Sequence, residues 1–361
     1  MGFLPAYARR VTGRLSAAGL TAAIEHIAPT GLDDRALRAH LLQVIGRFVP
    51  FDAYAFLLTD PATTVGCSPL AEVPDVAALP ALIRLKYLTP VNRWTALPTT
   101  GCATLQQATS GRPEQSPLWR EHLADLGILD VLSVVFTDRF GMWGFLDLWR
   151  RATLFTDDDA ATLVAARPVI TSRLREAQAA TFSVTGTVPR QRGPGALVLS
   201  PALAVRAQTP QTQDWLATLV PPEAGRGPVP ASAYNVAAQL LATEAGVDDH
   251  LAQVRVHLGA GVWLTLRADR VAGPEPVEDR DILVTMEASS PMERRDLFSR
   301  CSSLTGREDQ LLRHLAEGAD TRTVAGLMGI SEHTVQDHLK SVFTKTSTSS
   351  RRELLAKSLG Q

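Results

Sequence analysis

The densest chemistry in the chain lies near its C-terminus, in the run Ser331-Glu332-His333-Thr334-Val335-Gln336-Asp337-His338-Leu339-Lys340. Gln336, Lys340 and Thr344 recur at i, i+4 and i+8, with Asp337 beside Gln336. On a helix they share one face, while Val335, Leu339, Val342 and Phe343 share another. The outward types suit the edges of base pairs. Glutamine pairs bidentately with adenine, lysine donates to guanine and aspartate accepts from cytosine N4, each good contact giving about 1–3 kcal/mol of discrimination. His333 and Thr334 stand at the positive end of the same helix, and Lys345, Arg351 and Arg352 follow it. These suit phosphates, which position a protein on DNA without specifying sequence. His338, beside Leu339, reads as a core or phosphate-facing histidine rather than a metal ligand, and no metal site is expected.

The elements that hold this face are legible from caps and turns. Thr305-Gly306-Arg307-Glu308 forms a capping box that starts a helix with Leu311, Leu312 and Leu315 on its apolar side, and Gly318 suits the left-handed position after it. Asp320 caps a second helix carrying Val324, Leu327 and Met328, which Gly329 ends. Ser331 caps the third, over 331–345. A last capping box, Ser350-Arg351-Arg352-Glu353, opens a short helix whose Leu354, Leu355 and Leu359 are candidates for pairing two copies. From Lys340 onward five cations stand against the single acid Glu353, so a basic patch is expected beside the third helix.

Helix, tight glycine turn, helix over about 320–340 is the geometry that projects a second helix into a major groove. In order and spacing, LTGRE, LAEG, Val324-Ala325, MGIS, HTVQDHLK, Phe343 with Lys345, and SRREL resemble the LuxR/GerE family of transcription regulators across residues 304–361. The resemblance implies a four-helix, wingless DNA-binding unit in which Gln336, Asp337 and Lys340 fall on base-reading positions. The departure is KTSTSS: Thr346 and Ser347 stand where the family usually has leucine and glycine. One such module buries about 600–1,000 Å² on DNA, so binding to two half-sites as a homodimer is the natural arrangement.

Ahead of this unit the chain divides at TVPRQRGPG, ending at Gly195, and again after Glu287, with a further Pro/Gly-rich break from Pro221 to Pro230. LRAHLLQVIGRFV reads as an amphipathic helix, FDAYAFLLTDP as a buried strand, and LDVLSVVFT and WGFLDLWRR as a hairpin about DRFGM. Thr156 with Asp157, Asp158 and Asp159 starts the helix that closes the unit. This order resembles a GAF sensor domain, α+β, over 37–182. Its Tyr54, Phe56, Trp94 and Trp143 are candidates for a small-molecule pocket, with plain core as the alternative for most of them.

Beyond the linker 183–194, GALVLS and LAVRAQT, then helices through TQDWLATL and ASAYNVAAQLLATEAG, then AQVRVHL, VWLTLRADRV and DRDILVTMEA, give two strands, helices and three strands. That order resembles a PAS domain, α+β, over 195–290. A linker at 291–303 and an N-terminal helical segment at 1–36, a candidate for pairing subunits, complete the layout. No internal repeat is visible.

Composition narrows the classes. An apolar fraction of 45%, a charged fraction of 20% and a net charge of −1 describe a chain able to bury a core, whose nucleic-acid contacts must be local. Cys67, Cys102 and Cys301 are too sparse for a disulfide framework or paired metal ligands. Arg9, Arg10 and Arg14 interrupt the apolar start, and no membrane span or secretion signal is expected, which places the chain in the cytoplasm. GxxxxGK[ST], GxSxG, HExxH and CxxC are all missing, so no enzyme and no cofactor is expected. The leading reading is a regulator that binds double-stranded DNA as a homodimer, with RNA polymerase as a further partner and an unidentified ligand acting on the front units. The alternatives are a regulator docking protein partners through a non-reading helix-turn-helix, and an acyl-homoserine-lactone receptor, whose single sensor domain would leave the second unit unexplained.

Overall fold

The computed structural model describes residues 16–27, 33–72, 77–97, 101–183, 193–219, 230–259 and 261–360. Most of the first linker, most of the Pro/Gly-rich break and the first fifteen residues lie outside this set. In the first unit, α1 (Ala17–Glu25) and α2 (Asp34–Phe48) precede β1 (Ala53–Thr59), β2 (Gly66–Glu72), α3 (Leu79–Leu88), β3 (Cys102–Thr104) and α4 (Leu105–Ala108). The hairpin β4 (Asp130–Asp138) and β5 (Gly141–Arg150) follows, turning at the residues expected, and α5 (Asp157–Ala180) closes the unit from a capping box of Thr156 and Asp159. The strands form an antiparallel sheet in the order β2-β1-β5-β4-β3. α5 packs on this sheet with α1 and α2 against it, so the expected N-terminal helical segment contributes Leu20 and Ile24 to the core.

The second unit runs β6 (Gly195–Leu199), β7 (Val205–Gln208), α6 (Pro210–Leu219), α7 (Ala231–Glu244), β8 (Gln253–His257), β9 (Trp263–Arg270) and β10 (Ile282–Ala288). Its sheet order is β7-β6-β10-β9-β8, antiparallel throughout, which repeats the first sheet strand for strand. The repetition lies in topology and not in residue identity. α7, which begins ASAYNVAAQLL, is buried almost all round: its small residues let it sit against β9 and β10 on one side and α3 and β2 of the first unit on the other.

Charged groups also join the two units. Asp60, just past β1, is buried and accepts from Arg255 Nε at 2.7 Å, Arg255 Nη2 at 2.8 Å and the Arg255 backbone N–H at 3.0 Å. Arg93 pairs with Asp248 at 2.9 Å, and Thr95 donates to the same carboxylate. Burial alone would raise both carboxyls, but Arg255 holds Asp60 below its ordinary value, and His250 and Arg93 hold Asp248 at about 2.

The expected connector at 291–303 folds as α8 (Pro291–Cys301), started by a capping box of Ser290 and Glu293, and is packed rather than open. Leu297, Phe298 and Cys301 are buried. Its polar residues reach every unit. Arg300 donates to Phe140 O in the first, Asp296 accepts from Arg255 in the second, and Arg295 pairs with Asp309 beyond it. The last unit is all helical: α9 (Gly306–Ala316), α10 (Thr321–Met328), α11 (Glu332–Thr346) and α12 (Arg351–Leu359). One apolar cluster runs from Leu20 through both sheets and α8 to Leu354.

Candidate nucleic-acid interface

α11 is fixed from behind and bare in front. Ser331 caps it, accepting from the Thr334 N–H at 3.1 Å, and the turn before it closes on Gly329 with φ of 65°, a conformation that glycine adopts without a Cβ clash. Val335, Leu339 and Val342 are buried against α9 and α10, whereas Gln336, Asp337, Lys340 and Thr344 are exposed. Lys340 and His333 flank Asp337 at 3.4 and 3.7 Å, so a carboxylate and two basic groups share the outward face. The Thr344 hydroxyl donates to Lys340 O at 3.0 Å, leaving it an acceptor toward any other group.

The residues expected on phosphates divide. His333 and Arg352 are exposed, and Thr334 lies at the N-terminus of α11 with its hydroxyl against Ser331 at 2.9 Å. Lys345, itself exposed, is instead paired: its Nζ lies 2.6 and 2.9 Å from the two carboxylate oxygens of Glu308. Arg351 donates to the Thr321 hydroxyl at the start of α10. Lys357, counted in the expected basic patch, donates to Thr346 O and Ser347 O at the carbonyl end of α11, where a cation is favoured. The patch is therefore thinner than the local charge count implies, because three of its members, Lys345, Arg351 and Lys357, are bonded to other helices of the unit.

Glu308 is the residue whose role here sequence reasoning missed. Its place in the capping box was legible, and the structure confirms both halves of that box. It also accepts from the Ser341 hydroxyl at 2.6 Å. Burial alone would raise its pKa, but the donors from Lys345, Ser341 and Thr305 outweigh it and hold the carboxyl at about 2. The second box is only half formed: Ser350 accepts from the Glu353 N–H, while the Glu353 side chain reaches past it to the Ser349 N–H at 2.7 Å.

The unusual exit from α11 is accommodated. Ser347 adopts left-handed geometry, φ 50° and ψ 50°, where a glycine would ordinarily stand. Thr346 is buried in the place of a leucine, its hydroxyl donating to Val342 O at 2.8 Å and lying 2.8 Å from that of Thr348. The candidate pairing stripe is occupied from within. Leu354 is fully buried and Leu355 packs on the same core, with α12 lying against α8 and α9; Leu359 is half-buried.

The four candidate pocket aromatics have different packing partners. Phe56 packs against Phe136, and Tyr54, two residues away on the same face of β1, meets Phe51. Trp94 stacks on Phe145 with centroids 4.0 Å apart, and Phe145 is cross-strand from Leu57, hence on the opposite face. Trp143 is buried and donates to Asp138. A cleft of about 410 Å³ lies along α5 beside Asp138, Arg167 and Arg175, and a space of about 30 Å³ lies between the sheets beside Gln178, His257 and Trp263; neither is lined by these four aromatics. Among the described residues no helix is long and apolar enough to cross a membrane.

Residues 302–357 match the family described as bacterial regulatory proteins, luxR family, so the helical unit is a helix-turn-helix domain of that family following a mixed α/β region. No curated protein matches the chain. Among solved structures the chain is similar to Escherichia coli SdiA, at 13% identity and a TM-score of 0.31 over 95% of this chain and 96% of that one. It is also similar to SdiA in complex with octanoyl-rac-glycerol, at 12% identity and a TM-score of 0.31 over 94% of this chain and 92% of that one.

Proposed function

We propose that this LuxR-type regulator binds DNA sequence-specifically through α11, without enzymatic activity, and that the two front units set that activity by binding a ligand or partner. One observation carries the reading: Gln336, Asp337 and Lys340 stand exposed on a helix whose opposite side, Val335, Leu339 and Val342, is buried. These three take base edges in the major groove, and His333, Thr334, Arg352 and the remaining donors of Arg351 take phosphates. From residue 302 onward the chain carries eight basic residues against seven acidic ones. Six of the eight are exposed, but only Lys340, Arg351 and Arg352, with His333, stand on the proposed DNA side, so binding per copy falls gently with salt, with a slope of about −2 to −4.

Two copies on two half-sites supply the remaining affinity. Pairing through Leu354, Leu355 and Leu359 requires α8 to leave α12, so docking of α8 and assembly compete. The shared strand order of the two sheets supports treating the front as two sensors of one architecture, GAF-like then PAS-like, with α8 as their route to the helical unit. RNA polymerase is the further partner of the DNA-bound form.

The test is selection of duplexes from a randomised 30-bp library by the full chain. Wild type enriches a defined sequence, and Gln336→Ala and Lys340→Ala each weaken binding to it by about 1–3 kcal/mol. Undiminished enrichment by the double variant would take base reading away from these residues, and no enrichment by wild type would transfer the fold to protein docking instead.

A further inference from the structure

An apolar row alone leaves a helix able to roll on its support, and for α11 the roll decides which side chains face outward. Val335, Leu339, Val342 and Thr346 form that buried row. Ser341 and Lys345, four residues apart, form a second line, roughly 100° round the helix from the first at 3.6 residues per turn. Both end on one carboxylate. Ser341 donates to Glu308 Oε1 at 2.6 Å, and Lys345 reaches Oε1 at 2.9 Å and Oε2 at 2.6 Å. The same Oε2 accepts from the Thr305 N–H at 2.7 Å, so the carboxylate is tied to the start of α9 as well. Its side chain is 5% exposed, which leaves little room for water to replace these donors.

We infer that Glu308 is a positioning residue for base reading: through Ser341 and Lys345 it locks the roll of α11 so that Gln336, Asp337 and Lys340 face the groove together. Lys345 is on this account an internal pin and not a phosphate contact. The inference rests on the DNA reading proposed above and deepens it. The reading line, Gln336, Lys340 and Thr344, lies on the far side of α11 from the buried row, so a modest roll displaces all its members at once. Contacts that must be made together fail together when their support loosens.

Salt dependence and specificity separate a pin from a phosphate contact. A phosphate contact removed weakens all sequences alike and lowers the salt slope by about 0.9. A pin removed lowers the preference for the right sequence and leaves the slope alone. The measurement uses the full chain, the duplex that wild type enriches from a randomised 30-bp library, and a scrambled duplex of equal composition. Glu308→Gln removes the charge and keeps one acceptor oxygen, which can stay on the Thr305 N–H while its NH2 donates to the Ser341 hydroxyl; Lys345→Met removes the pair from the other side; Lys345→Arg retains it.

The expected result is that both pair-breaking variants lose about tenfold in the ratio of affinities for the two duplexes, with unchanged slope, and that the double variant is no worse than either, as coupled partners require. Lys345→Arg stays near wild type, and amide exchange quickens over 341–346 in the pair-breaking variants while α10 stays protected. Should Glu308→Gln fail to fold, Lys345→Met carries the same readouts. A fall of about 0.9 in slope with the ratio intact in Lys345→Met would overturn the pin. So would an unchanged ratio in variants with quickened exchange, which reduces Glu308 to a stabilising role. If wild type enriches no duplex, the DNA reading fails and the role of Glu308 in it falls too, an outcome visible before any variant is compared.

Discussion

At the junction of the two sheets the carboxylate of Asp60 is wholly buried under the guanidinium of Arg255, and in the helical unit that of Glu308 is almost as buried under the ammonium of Lys345. The chemistry is alike and the surroundings differ. Asp60 and Arg255 are 195 residues apart and belong to different sheets, and Arg255 passes a further bond to Asp296 of α8. Glu308 and Lys345 are 37 residues apart within one small unit, and the carboxylate has Ser341 and the Thr305 N–H as other donors. The first pair joins units; the second trims the angle of one helix. Removing a partner should therefore cost more at the junction, where the pair is wholly buried and Arg255 also carries the bond to Asp296.

Arg255→Met puts that difference to its strongest test. It leaves a buried carboxylate with backbone donors alone, and full-chain stability should fall by about 3–5 kcal/mol. All six tryptophans lie before residue 264, so tryptophan fluorescence during urea denaturation reports on the front body and not on the helical unit. Asp60→Asn combined with Arg255→Met should recover part of the loss, because no uncompensated charge remains. A fluorescence transition within about 1 kcal/mol of wild type in the single variant would show that the junction carries no such charge burden.

How much of this was legible in the sequence depended on the distance between partners. Thr305 with Glu308, Asp320, Gly329 and Ser331 act within a turn of where they stand, and each forms the cap or turn its type implies. The alternation in AQVRVHL likewise marked a strand. Nothing local to Arg255 indicates that the first unit covers its face of that strand. Asp60 before Pro61 looked like a strand terminator and is in addition the counter-ion across the junction. The same limit hid the Glu308 partner of Lys345, so the tail appeared more basic than it is. The second sheet repeats the first in strand order while sharing no visible residue pattern, because topology follows from which strands alternate and turn, and many sequences satisfy that.

The pH response sharpens the comparison at an intermediate scale. The Glu308 carboxyl titrates at about 2 when folded against an ordinary value of 4.5. A depressed carboxyl contributes stability that is complete above the unfolded value and is lost as pH falls through the folded one, here between about 4.5 and 2, and on the order of 2 kcal/mol is at stake. The stability gap between wild type and Glu308→Gln, followed by helical circular dichroism, should be widest near pH 6 and close toward pH 2. A gap that stays constant over that range would mean the charge on Glu308 contributes nothing. Asp60 is shifted in the same direction, so the tryptophan-detected transition should weaken with acid as well, and that dependence should persist in Glu308→Gln.

The smallest effect concerns Ser347, where the helical unit departs from the luxR-family pattern at the exit of α11. Left-handed geometry costs a residue with a Cβ about 1–2 kcal/mol relative to glycine. Against this, glycine has more freedom to lose from the unfolded chain, which offsets about 0.4–1 kcal/mol. The Ser347 side chain is exposed, and its backbone carbonyl, which accepts from Lys357 at 3.0 Å, is retained by any substitution. Ser347→Gly should therefore stabilise the helical unit by about 0.5 kcal/mol, the difference between those terms. Ser347→Val, branched at the carbon that clashes, should destabilise it by more than Ser347→Gly gains. Opposite signs in thermal melts would mark a local backbone effect. If Ser347→Gly instead lowers stability, the hydroxyl at this exit has a use that its exposure does not reveal, and the departure from the family pattern would count as a contact rather than a tolerated strain.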